Sequence, residues 1–416
     1  MKSIHDIPLL ALVVAAALAA FGFYALGASG ALATPIAVGE TVLLPSVANL
    51  AKDALFVPLK PLMYALIILS IGSSIAISTG GLGAKFARVL TFFVLFSLIG
   101  MALGITAFFL FGGIQILPDP QSIGAMGGDR TVTPFALKIY GVLTSALMIC
   151  IYTGLLFGAA LKRLNLGREA DAISDLFIRG FRKFLQYTIP LAVFGSVTLA
   201  LSRPGGVETL GNLFSLLLPY LFAMGLTWLV IVAITTAIQG RGPGFILRAV
   251  LPQALVAFST SSSIATLTAT KQACDDMGAN GDESTPFFTV GATINMVGTL
   301  IGLLLLSLYS MKAFGLEVGM GEALVVGFQS LVFATAAAGT PSASVVLLQD
   351  ILVSQGVSAD YSEYVVGLII TIDTLILDRL RTTLNTQSDS MSTANGLKLY
   401  YRKPRVLEDG TADSAL

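Results

Sequence analysis

Leu377–Asp389 reads Leu-Asp-Arg-Leu-Arg-Thr-Thr-Leu-Asn-Thr-Gln-Ser-Asp, and it lies inside the last apolar stretch of the chain, Tyr364–Leu399. Asp378, Arg381, Thr382, Asn385 and Asp389 follow i, i+3, i+4, i+7 and i+11, so a helix aligns them as one polar stripe. Asp373 and Arg379 add two more charges nearby. Each charge costs roughly 2.5–3.5 kcal/mol at the centre of a membrane-spanning helix, so the set persists only with partners. One account is internal ion pairs that hold a bundle together. The other is a site for a zwitterionic or anionic ligand with cations. An Arg fork matches a carboxylate, and an Asp accepts an ammonium. A second Asp, with Asn and backbone carbonyls, makes an oxygen cage for a small cation.

The surroundings make the membrane the relevant solvent. The chain has 416 residues, 55% hydrophobic and 12% charged, with net charge zero and mean hydropathy +0.85. A soluble protein is about a quarter charged. The composition excludes a soluble domain, a disordered chain and a nucleic-acid partner. One His (His5) and two Cys (Cys150, Cys274) leave no zinc cluster, His-based triad or disulfide framework, and no nucleophile–base constellation of an enzyme. The class is an all-α polytopic membrane protein. Candidate spans are Pro8–Ala28, Leu43–Ile77, Arg88–Phe111, Pro134–Leu161, Phe184–Leu201, Leu213–Gln239 and Thr285–Ala313. The first reads as a retained helix, not a cleaved leader. Basic residues cluster at Lys85 and Arg88, at Lys162, Arg163, Arg168, Arg179, Arg182 and Lys183, and at Lys398, Arg402, Lys403 and Arg405. The opposite side holds Arg130, Arg203 and Lys312. Both termini are therefore expected on the cytoplasmic side, with 162–183 an ordinary cytoplasmic loop.

Three later stretches are apolar but interrupted: Phe245–Ala273, Leu324–Gln349 and Tyr364–Leu399. Leu255–Ala269 carries seven hydroxyls and no charge. A single Ser can bond back to its own helix, but the run Thr260–Ser263 fits a re-entrant turn facing a polar cavity better. In Leu331–Val346 the turn Gly339-Thr340-Pro341-Ser342 leaves halves too short to cross a bilayer. A Pro-kinked helix is the bland alternative. Two such hairpins in corresponding halves point to a secondary transporter's binding site. Asn295, Met296 and Gly298, within Val290–Thr299, suggest an unwound turn, though a small-residue packing face would look the same.

With these blocks placed, the chain resembles the glutamate/aspartate transporter family, the dicarboxylate/amino acid:cation symporters. The blocks are Ser259–Leu267, Gly291–Thr299, Ala337–Pro341 and Leu377–Asn385 followed by Asp389; the resemblance is strongest from Leu247 to Gly396. It implies eight transmembrane helices plus two re-entrant helical hairpins, built as inverted repeats in an elevator-type homotrimer of the plasma (inner) membrane. Scaffold helices would occupy 1–84 and 130–202, and a third helix 85–113 would belong to the moving part. The transport domain would run over 213–399, with hairpins at about 245–273 and 324–353, helices at about 285–313 and 361–399, and 400–416 a cytoplasmic tail.

The resemblance also implies roles. Asp378 would bind the substrate amino group. Arg381, helped by Thr299, would bind the side-chain carboxylate of L-glutamate or L-aspartate. Asn385, Ser263 and the second tip (Ala338, Gly339, Thr340, Pro341) would hold the α-carboxylate. Ser261, Ser262, Arg379 and Thr382 complete the substrate set. Sodium would be the coupling ion and no other cofactor is implied. One sodium would sit at Asp389 with carbonyls near Asn295 and Asn385, another at the second tip and the Thr293–Met296 turn.

The departures from the family pattern are specific. Val297 replaces the usual aspartate of Asn-Met-Asp-Gly, and Phe96-Ser97 replaces a Thr-Ser pair, so a third sodium site is expected to be lost. Leu303 stands where animal members have a glutamate. Thr268 replaces a proline, and Ser261 an archaeal arginine. Asp373 lies five residues before Asp378, where the family usually has an aspartate four before. The expectation is a sodium-driven acidic amino acid symporter with fewer coupled ions. The alternatives are proton coupling of a glutamate or C4-dicarboxylate symporter, and a transport-inactive sensor or anion conductance.

Overall fold

The computed structural model describes residues 8–38, 41–77, 83–115, 143–144, 146–335, 337 and 343–402. The helices are α1 (Leu9–Ala25), α2 (Ser29–Ala33), α3 (Val47–Ile77), α4 (Gly83–Leu110), α5 (Ala146–Arg163), α6 (Gly167–Leu201), α7 (Gly206–Leu213), α8 (Leu217–Gln239) and α9 (Pro243–Thr260). They continue as α10 (Leu267–Asp276), α11 (Gly281–Ile294), α12 (Val297–Ala313), α13 (Met320–Ala334), α14 (Ala343–Ser354), α15 (Ala359–Ile372) and α16 (Asp378–Arg402). The all-α reading needs one small correction. Ile36–Val38 and Thr41–Leu44 form an antiparallel two-stranded ribbon, so the span expected from Leu43 begins as a strand and turns helical at Val47.

Six helical stretches among the described residues are long and apolar enough to cross a membrane. They are Val47–Ser73, Gly83–Leu110, Gly167–Leu201, Gly206–Gln239, Pro243–Thr260 and Glu283–Ala313. Leu9–Ala25 and Met320–Ala334 are apolar but shorter. The expected Pro134–Leu161 is described as a helix only from Ala146. The expected loop at 162–183 is largely helical. Only a short turn separates α5 from α6, and Arg168–Lys183 forms the first half of a 35-residue helix. Its basic residues ride a helix face instead of a loop.

The interrupted stretches break into successive helices. α9 starts with Pro at its first turn and ends at Ser261, held in the left-handed region at φ 50°. α10 then runs back alongside α9, and Gln253 on α9 donates to the Thr270 hydroxyl at 2.8 Å. α11 and α12 are separated at Asn295-Met296. α13 and α14 flank a junction whose tip, including Ala338, Gly339, Thr340 and Pro341, lies outside the described residues. A five-residue π-helical turn, Asp373–Leu377, joins α15 to α16.

Packing sorts the helices into two groups. α1, α3, α5 and α6 pack on one another. α16 is wrapped by α4, α8, α9, α10, α11 and α12. α12 is the central rod: every residue from Val297 to Met311 is buried, as expected for a helix apolar on all sides. The groups meet where α15 packs on α6 and α14 on α3. Lys52 of α3 pairs there with Glu363 of α15.

Candidate functional site

The polar stripe of α16 is buried along its length: Asp378, Arg381, Thr382, Asn385 and Asp389 are each at most 6% exposed. Arg381 is its hub. Nη2 donates to Asp373 Oδ2 at 2.9 Å and to Asp378 Oδ1 at 2.8 Å, and Nη1 stands 2.7 Å from Asp373 Oδ1. Nε makes no hydrogen bond. The displaced Asp373 thus reaches the site after all. About seven residues complete two α-helical turns, and the eighth between Asp373 and Arg381 is absorbed by the π-turn. A spacing argument based on regular helix hides this partner.

The backbone of α12 lies directly against Arg381. A β-carbon built on Gly298 would come 2.5 Å from the Arg381 carbonyl oxygen, so only glycine fits there. Asn385 caps the start of α12. Its Oδ1 accepts from the Gly298 N–H at 2.7 Å and the Thr299 N–H at 3.3 Å, and its Nδ2 donates to the Thr299 hydroxyl at 3.0 Å. The stripe, the helix break and Thr299 therefore form one unit.

A second cluster sits one turn along α16. Asn295 Nδ2 donates to Asp389 Oδ1 and to the Ser388 hydroxyl, each at 2.9 Å. Asn295 Oδ1 is buried without a hydrogen-bond partner. A carboxylate beside an unmatched amide oxygen is a donor set suited to a small hard cation. Thr293 bonds back to Val290, and Met296 occupies the N-cap of α12. The neighbouring position of the expected third site is filled with hydrocarbon. Val297 and Phe96 are fully buried, Phe96 packs against Phe92, and Val297 abuts Gly100 of α4. Ser97 is buried on the same helix.

The tip of α9–α10 brings Ser261, Ser262 and Ser263 together, all buried. Arg379 leaves the stripe for this tip. Its Nη1 donates to the carbonyls of Phe258 at 2.7 Å and Ser259 at 3.0 Å, closing the last turn of α9. From the other helix group, Arg182 donates to the Ser262 hydroxyl at 2.9 Å. Neither Arg182 nor the Arg381 partner Asp373 was legible as part of the site. Arg182 counted only as a positive charge, and Asp373 was out of helical register.

A bundle of long apolar helices around a buried, charged, broken-helix centre defines a membrane transport protein. The sodium:dicarboxylate symporter family matches residues 9–395, and the chain belongs to that family. Its members are transporters, not enzymes. Among its relatives is a serine/threonine transporter SstT of Streptococcus thermophilus (strain CNRZ 1066), 27% identical over 291 residues, covering 68% of this chain and 71% of the relative. Another is the serine/threonine transporter SstT of Streptococcus agalactiae serotype III (strain NEM316), 26% identical over 273 residues, covering 64% and 66%.

Proposed function

We propose that the chain is a sodium-coupled symporter of acidic α-amino acids. Arg381 carries the reading: a guanidinium 1% exposed, gripped on one side by two aspartates, with Nε left unmatched. A substrate side-chain carboxylate is the natural acceptor for that nitrogen. Asp378 takes the substrate ammonium, Thr299 helps Arg381 with the side-chain carboxylate, and Asn385 and Ser263, with the 338–341 segment, take the α-carboxylate. Thr382 and Arg379 support the stripe and the tip. Asp389 and Asn295 hold one sodium, and the carbonyls of the Thr293–Met296 turn serve a second. With Val297 and Phe96 in place of oxygen ligands, one coupled ion is missing. Each cation moving down 100 mV contributes about 2.3 kcal/mol, so the attainable gradient is lower. The reading carries with it a homotrimeric elevator of eight spans and two re-entrant hairpins in the plasma membrane, both termini cytoplasmic.

A second reading is a small neutral amino acid. Asp373 and Asp378 already more than offset the Arg381 charge, and the relatives are named as serine/threonine transporters. The deciding experiment is binding of L-aspartate, L-glutamate and L-serine to the purified protein, first with sodium varied at fixed pH, then with pH varied without sodium. Acidic ligands binding steeply with sodium is the expected result, and Arg381→Cys abolishes it. Binding of L-serine alone replaces the acidic reading with the neutral one. Binding that ignores sodium and follows pH moves the coupling to protons.

A further inference from the structure

Tyr220 is a second unmatched buried group beside Arg381. It lies on α8, is fully buried, and its hydroxyl makes no hydrogen bond of ordinary geometry. Arg381 is close enough to its hydroxyl for a weak contact, and Asp373 and Asp378 lie nearby. Gly302 on α12 makes the meeting possible. A β-carbon built there would stand 2.6 Å from Arg381 Cδ and closer still to the Tyr220 hydroxyl. The two side chains therefore meet over one glycine, a turn beyond Gly298 and Thr299. A buried phenol ordinarily finds a hydrogen-bond partner. Here the Tyr220 hydroxyl and the Arg381 Nε–H share one neighbourhood, both buried, and neither is in a hydrogen bond of ordinary geometry beyond their weak contact with each other. The two aspartates face the Nη nitrogens instead. A carboxylate, with two acceptor oxygens, can take both donors at once.

We propose that Tyr220 is a further substrate-binding residue, its hydroxyl donating to the side-chain carboxylate of an acidic amino acid that also takes the Arg381 Nε–H. The proposal rests on the acidic reading above. Its consequence is discrimination: an amide or hydroxyl side chain offers only one acceptor oxygen to the pair, so Tyr220 favours the carboxylate.

The test is Tyr220→Phe, which keeps the ring in its packing and removes only the hydroxyl. Wild type and variant are titrated with L-aspartate and with L-asparagine in sodium, and the thermal midpoint is recorded without ligand. The expected result is an L-aspartate Kd raised roughly tenfold or more, with little change for L-asparagine and an unchanged ligand-free midpoint. The affinity ratio of the two ligands is the decisive quantity, because partial misfolding weakens both alike. An unchanged ratio, with wild type binding L-aspartate, overturns the role of Tyr220 and leaves the acidic reading standing. A wild type that does not bind L-aspartate overturns the acidic reading, and Tyr220 with it.

Discussion

Arg381 shows how one side chain can be both satisfied and incomplete. Two aspartates pair with it and more than offset its charge, so the arginine is tolerated at 1% exposure. Its Nε is still without a hydrogen-bond partner of ordinary geometry, and the proposed binding role rests on that nitrogen. Val297 is the opposite case. It is fully buried where the resemblance implies an aspartate, and Phe96, also fully buried, offers no oxygen from α4. Val297→Asp puts an unpartnered carboxylate among apolar atoms and costs on the order of 3 kcal/mol. The expected outcome is a lower thermal midpoint with an unchanged sodium dependence of binding. Only addition of Phe96→Thr restores a cation response. A steeper sodium dependence from Val297→Asp alone would show that Phe96 does not face the site.

At the scale of elements, α12 and α16 act as one piece. Gly298 lets the start of α12 rest on the Arg381 backbone, and Asn385 supplies the cap that α12 lacks locally. No residue of the Asn295-Met296 break offers a side-chain cap of its own. Gly298→Ala drives a methyl toward a carbonyl that cannot retreat without parting the two helices. Overpacking of this kind costs about 1–3 kcal/mol. We expect a reduced thermal midpoint together with loss of substrate binding, because the cap and the Arg381 geometry fail together. Normal ligand affinity in a destabilised Gly298→Ala protein would uncouple the helix junction from the site.

Across the whole molecule, the α9–α10 tip touches both helix groups. Arg379 ties it to α16, and Arg182 ties it to α6. If the α16 group travels as an elevator past the α6 group, the Arg182–Ser262 contact must break in each cycle. Arg182→Cys and Ser262→Cys, in a Cys150→Ser background, bridged by a reducible bifunctional thiol reagent that spans the lost arginine side chain, should stop uptake and release it on reduction. Uptake that continues with the crosslink formed would place α6 and the tip in one moving body. Cys274 is fully buried and stays out of this chemistry.

Much of this was legible in the chain. Hydropathy and the low charge determine the membrane class, because a bilayer admits only long apolar helices for a helical chain of this kind. The stripe of α16 and the breaks at Ser261 and Asn295 follow from periodicity and from residue types that suit exposed backbone. The basic stretch at 162–183 did not reveal its state, since a charged segment is compatible with loop or helix until packing chooses. Asp373 needed the structure because the π-turn shifts the helical register by one residue. Tyr220 and Arg182 needed it for a simpler reason. They come from helices far away in sequence, and no local pattern encodes which distant side chain will meet a buried arginine or the tip of a hairpin.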